Sequence, residues 1–250
     1  MFTSLSRWRG LRGTIPSSIT LASMFCGFLS VTFSVKGSLT VAAWLIVSCG
    51  VLDAVDGPVA RALQSDSAFG GQLDSFSDLV SFGLAPSLLF YRAYFMGWGI
   101  PGLALSFLPT VVSAIRLARF NTMDKAHKRD YFIGFTTTAS ACLLASFLLF
   151  CDDLWGSRVF PDVAAALVLL SSALMLSKLH YITVAKFTSD GWWRTPKGVL
   201  CLAVGVAIVL FPSRAFFPAM MALMLEGLLS PGIGQVVHHF GDIQRQHRGV

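Results

Sequence analysis

Charge is what this sequence has least of. Of its 250 residues only 13% are Asp, Glu, Lys or Arg, about half the share usual in a soluble domain. A domain with a water-facing polar shell is therefore excluded for any large part of the chain. Cysteine is sparse too. Cys26, Cys49, Cys142, Cys151 and Cys201 are scattered, mostly inside apolar runs, and no C-x-x-C occurs. That excludes a disulfide framework and a thiolate metal site, and leaves burial as the expectation. There is no internal repeat and no low-complexity segment. A cleavage site of the small-x-small kind is also missing after the first apolar run, so the stretch from Ile15 to Val35 reads as a retained helix and not as a signal peptide.

What is present is apolar. Hydrophobic residues make up 54% of the chain and the mean hydropathy is +0.68. The apolar residues fall in runs near membrane-spanning length, which predict an all-α integral membrane protein. Eight helices are expected, at roughly 15–35, 39–63, 69–95, 99–121, 132–151, 161–178, 198–212 and 214–234, with ends good to about four residues. Pro212 is expected to stop the seventh. The whole chain, 1–250, reads as one membrane domain with a short tail, 235–250, in water or on headgroups.

The few basic residues orient the bundle. With the N-terminus placed in the cytoplasm and sides alternating, only Lys36, Arg92, Arg158 and Arg214 of the 19 lysines and arginines fall on the far side. Such a bias follows the positive-inside rule. It puts the turn at 62–70 in the cytoplasm, in a bacterial-type inner or plasma membrane. The net charge of +6 then reflects loop asymmetry. It points to anionic headgroups or a phosphate-bearing substrate, not to nucleic acid.

The acids stand out against this background. Asp53 and Asp56 are three residues apart and Asp74 and Asp78 are four apart, so on helices each pair shares a face. Carboxylates in membrane helices are costly and persist mainly where something binds them. Capping explains Asp66, which sits between Ser65 and Ser67 ahead of the third helix. It does not explain the other four. Oxygen-only donors with no His or Cys among them favour a hard divalent cation, Mg²⁺ or Mn²⁺ or Ca²⁺. Gly57 lets a bulky group approach the backbone, and Arg61 supplies a planar fork for phosphate. Together they suggest a diphosphate substrate whose charge two divalent ions neutralise during an in-line displacement.

The stretch from Asp53 to Asp78 reads D-x2-D-G-x2-A-R-x8-G-x3-D-x3-D through Asp53, Asp56, Gly57, Ala60, Arg61, Gly70, Asp74 and Asp78. In this it resembles the CDP-alcohol phosphotransferases. D-S-F-S-D-L-V-S-F-G-L-A-P (Asp74–Pro86) and A-I-R-L-A-R-F-N (Ala114–Asn121) are similar to the phosphatidylserine synthase branch of that family. The resemblance implies a six-helix catalytic core, about 15–178, with two further helices at about 198–234. It implies two divalent ions held by Asp53, Asp56, Asp74 and Asp78, with Asp78 also the base. Gly57, Arg61 and Ser67 would contact the CDP moiety, joined by Ser17 and Thr20 at the start of the first helix. CDP-diacylglycerol and L-serine would be the substrates, phosphatidylserine and CMP the products, and a homodimer the assembly. Two departures are visible. A serine, Ser17, replaces the asparagine of the family's P-N-x-x-T. Gly134-Phe135-Thr136, followed by two more threonines, replaces a G-L-P stretch.

Arg116 and Arg119 either anchor a lipid phosphate or acceptor carboxylate, or snorkel to headgroups; Arg116 lies a turn deeper. Lys178 and Lys186 suit anionic lipid, His180 an acceptor or solvent, and Trp192 and Trp193 the interface. Glu226 has no assigned role. Rival readings keep the chemistry but change the acceptor to glycerol 3-phosphate, inositol phosphate or choline. A divalent-cation transporter would need polar residues across the whole bilayer, and the far halves of these helices are apolar.

Overall fold

The computed structural model describes residues 3–62, 68–122, 132–133, 135–157, 159–177, 180–181 and 210–226. These residues are helical almost throughout. The elements are α1 (Thr3–Val35), α2 (Leu39–Ala62), α3 (Ala68–Asp78), α4 (Ala85–Phe90), α5 (Gly99–Thr122), α6 (Thr137–Trp155) and α7 (Pro161–Leu176), with a further helix, α8, over 212–226. A π-helical segment, Leu79–Leu84, joins α3 to α4, and a second, Tyr91–Phe95, extends this rod to a 3-10 turn at Met96–Trp98. A minimal antiparallel pair, β1 (Phe132–Ile133) with β2 (His180–Tyr181), matches Phe132 to Tyr181 and Ile133 to His180.

Four stretches among the described residues are long and apolar enough to cross a membrane: Ser17–Val35, Leu39–Val59, Phe69–Thr122 and Thr137–Trp155. The third has 54 residues, well over twice the ~20 that a crossing needs. The turn at Met96–Trp98 and Gly99 divides it into two passes. Pro161–Leu176 is apolar but shorter. The exterior is an apolar band. Phe25, Phe28, Val51, Ile100, Leu103 and Phe107 are all exposed, the reverse of a water-soluble surface and the expected face toward lipid.

Inside, small polar residues replace bulk. Ser23, Ser30, Ser77, Ser81, Ser113 and Ser146 are buried, which lets helix backbones approach closely. Four of these hydroxyls, on Ser30, Ser77, Ser81 and Ser146, bond backbone carbonyls, as Ser30 Oγ does to Ala42 O at 2.8 Å. The α1–α2 hairpin closes on a Schellman motif. Gly37 takes φ +85°, its N–H donates to Ser34 O, and Ser38 N–H donates to Phe33 O. Arg92 bonds the carbonyls of Ser34 and Val35 at this same end. Aromatic rings fill the bundle nearby: Phe90, Tyr94 and Phe147 stack among themselves, and Phe217 of α8 docks 5.3 Å from Phe147. The polar groups at this end pair with one another or with backbone, as Thr40 does with Asp152 and Arg214 with Asp153, and the acidic cluster lies at the opposite end.

Most expected boundaries hold within a turn. Two do not. The first helix, expected from 15, begins at Thr3, so the arginine-bearing segment ahead of the apolar run is helical as well. The helix expected from 132 begins at Thr137, because Phe132 and Ile133 pair with β2 and Thr136 caps the helix by accepting from Ala139 N–H. Pro212 opens α8, where a first-turn proline loses no intrahelical bond. The seventh expected helix (198–212) lies outside the described residues up to 209, as do Ser67, Lys178, Lys186, Trp192, Trp193 and the tail.

Candidate active site

The acids meet at the end of the bundle opposite the Gly37 turn. Asp53 and Asp56 sit in the last turns of α2, and Asp74 and Asp78 on α3. The α1, α2, α3–α4 and α5 passes alternate in direction, so the end of α2, the start of α3 and the end of α5 come together. One carboxylate oxygen each from Asp53, Asp74 and Asp78 lies within 4.8 Å of the others. Asp56 lines the same cleft, with Thr20 and Ser77 beside it.

Hydrogen bonds from α1 and α6 fix this arrangement. Thr20 Oγ1 donates to Asp56 Oδ2 in a short contact. Thr138 Oγ1 donates to Asp53 Oδ2 at 3.0 Å. The rod of α3 is pinned to α1 just where its acids stand. Ser77 Oγ donates to Thr20 O and Ser81 Oγ to Ser23 O, both at 3.1 Å. Asp78 is the last residue before the first π segment. The wider π turn fits a place where a helix must present side chains off the ordinary 3.6-residue register.

Like charges this close repel. Two carboxylates at 4.8 Å cost about 3 kcal/mol at an effective dielectric of about 20. Arg116 offsets part of it through its electrostatic interaction with Asp78. Arg116 alone, among the described side chains, cannot balance the cluster, so its field favours a cation. The donors suit a hard divalent ion: they are all carboxylate oxygens, and Asp56 Oδ1 is buried with no hydrogen-bond partner.

The remaining expected residues divide. Thr20 is buried and bonds Asp56, so its hydroxyl serves the carboxylate. Ser17 and Gly57 are half-buried near the same mouth. Arg61 is in the last turn of α2, and its side chain lies outside the described residues. Arg116 is half-buried and donates Nη1 to Thr137 Oγ1 at 3.0 Å, while its Nε is buried without a partner. Arg119 is exposed. The two stretches of sequence that follow the first acids touch: Asn121 Nδ2 donates to Ser75 Oγ at 3.0 Å. Sequence reasoning did not assign Thr137 or Thr138 to the site. The run of three threonines was the available signal, since such residues favour helix starts.

The comparisons with known proteins agree with this geometry. The family model of the CDP-alcohol phosphatidyltransferases matches residues 13–177, which take in all four aspartates and Arg116. The CDP-diacylglycerol–serine O-phosphatidyltransferase of Helicobacter pylori is 30% identical over 217 residues, 86% of this chain and 89% of the relative. That of Mycobacterium tuberculosis is 31% identical over 191 residues, 70% of this chain and 66% of the relative. The archaetidylserine synthase of Methanothermobacter thermautotrophicus is 29% identical over 170 residues, 67% and 69% of the two chains.

Proposed function

The chain belongs to the CDP-alcohol phosphatidyltransferase family, and from that premise we propose that it transfers the phosphatidyl group of CDP-diacylglycerol to L-serine. The observation that carries the reading is the meeting of Asp53, Asp74 and Asp78 beside Arg116, with Ser75 and Asn121 joining the two branch-like stretches.

CDP-diacylglycerol keeps its acyl chains in lipid and brings its diphosphate to the acidic end of the bundle. Asp53, Asp56, Asp74 and Asp78 hold two divalent ions, Mg²⁺ or Mn²⁺. When bound, these supply charge neutralisation for the diphosphate. Gly57, Arg61, Ser67 and Ser17 contact the CDP moiety, and Thr20 acts through Asp56. Asp78 accepts the proton of the serine hydroxyl. The serine oxygen bonds to the phosphatidyl phosphorus as the bond from that phosphorus to the CMP oxygen breaks, and CMP leaves. The protein contributes alignment and electrostatics, as in phosphoryl transfer generally. Arg116 has an unpartnered buried Nε, free to bond an anionic oxygen of lipid or acceptor. Arg119, exposed, serves headgroups.

The proposal carries the architecture with it: one membrane domain of eight transmembrane helices, six of them the catalytic core, with the N-terminus and acidic end cytoplasmic. It also includes a homodimer, which crosslinking in the membrane tests. The activity is tested by CMP release from CDP-diacylglycerol by the purified protein with Mn²⁺, across L-serine, glycerol 3-phosphate, inositol phosphate and choline. Release with L-serine is expected. Release with glycerol 3-phosphate but not L-serine refutes the acceptor, and no release with any acceptor refutes the enzyme.

A further inference from the structure

The start of α6 reaches into the acidic site at two points, and the catalytic proposal uses neither. Thr136 caps the helix by accepting from Ala139 N–H at 3.1 Å. This fixes the next two residues, whose side chains diverge by about 100° around the axis. Thr137 is buried, and its Oγ1 accepts from Arg116 Nη1 at 3.0 Å. Thr138 Oγ1 donates to Asp53 Oδ2 at 3.0 Å. The contacts come from far along the chain, as α6 packs on α2 and on the π segment after Asp78.

We propose that Thr137 and Thr138 are positioning residues: Thr138 sets the carboxylate plane of Asp53 for cation binding, and Thr137 sets the guanidinium of Arg116. A carboxylate turns broadly about its terminal torsion. One hydroxyl bond to Oδ2 removes that freedom before a cation arrives, and outer partners of this kind orient metal ligands. Arg116 has several donors to distribute. Committing Nη1 to Thr137 leaves Nε, buried and unpartnered, aimed by the same contact. The two hydroxyls thus act on different halves of the site. Thr138 acts on the cation side and Thr137 on the Arg116 side. The inference rests on the metal-dependent reading above.

The test uses the full-length protein in detergent and four variants: T138V and T138S, T137V and T137S. Valine keeps the shape and removes the hydroxyl; serine keeps the hydroxyl. Mn²⁺ dissociation constants are read by electron paramagnetic resonance without substrate. Steady-state kcat and KM are read by CMP release. T138V is expected to weaken Mn²⁺ binding about tenfold, the lower end of the effect of such outer partners, and T138S to restore it. T137V is expected to leave Mn²⁺ binding unchanged while lowering kcat/KM, with T137S again restoring it. A folded T138V that binds Mn²⁺ like wild type overturns the role of Thr138, as does a T138S that is equally impaired. A T137V with wild-type kcat/KM overturns the role of Thr137. Wild-type protein that neither binds Mn²⁺ nor releases CMP overturns the underlying reading as well.

Discussion

Gly27 on α1 faces Ser81, three residues beyond Asp78, and the approach there is the closest test of how rigidly the site is built. A Cβ at position 27 would lie 2.6 Å from Ser81 Oγ and 2.8 Å from Ser81 Cα. The hydroxyl can rotate away, at the loss of its bond to Ser23 O. The Cα cannot. Reaching an ordinary 3.4 Å contact requires the two helices to part by about 0.6 Å. Overpacking of this kind costs about 1–3 kcal/mol of stability. The displacement also carries Asp78, which lies one helical turn from Ser81 on the same rod. A misplacement of about 1 Å costs about a hundredfold in rate, so G27A should lose about tenfold in kcat. The assay is initial-rate CMP release at saturating Mn²⁺, with thermal unfolding measured on the same sample. A folded G27A with the wild-type rate would refute the claim that the packing of α1 on the π segment after α3 positions Asp78.

Three further outcomes follow from the same structure. D78N should lose about 10²- to 10⁴-fold in turnover, the span of a general base. Its melting temperature in the metal-free state should not fall, since one fewer charge meets in the cluster; retained turnover would remove Asp78 as the base. G50A should be destabilised, because its Cβ would sit 2.9 Å from Cys142 Sγ, and C142A should rescue it; additive effects in the double-mutant cycle would contradict the contact. D153A breaks the Arg214–Asp153 pair at 2.5 Å, yet side chains 59% and 33% exposed make such a pair worth less than about 1 kcal/mol. A large drop in melting temperature would show that α8 depends on that pair and not on Phe217.

The acidic site was legible because lipid makes charge conspicuous. Asp53, Asp74 and Asp78 needed only helical spacing to be grouped, and they meet. Arg116, read as lying a turn deeper than Arg119, is half-buried where Arg119 is exposed. What escaped depends on tertiary register. The bond of Thr20 to Asp56 spans 36 positions. The threonines 136–138 read as a departure from a family pattern, since nothing local says that Thr138 will face Asp53, 85 positions earlier. The helix start at Thr137 was missed because Phe132–Ile133 find their partners in β2, a pairing with no short-range signal. The π segments have no distinct hydrophobic period, so the rod from α3 through α4 read as one uniform helix.

The central claim is that this acidic site joins a phosphatidyl group to serine with divalent metal. The most direct measurement quantifies both products from CDP-diacylglycerol and L-serine, in detergent micelles, before and after chelation of metal. Phosphatidylserine and CMP are expected in equal amounts, both lost with chelator and both restored by Mg²⁺ or Mn²⁺. CMP without phosphatidylserine, or equal products in fully chelated protein, would contradict the claim.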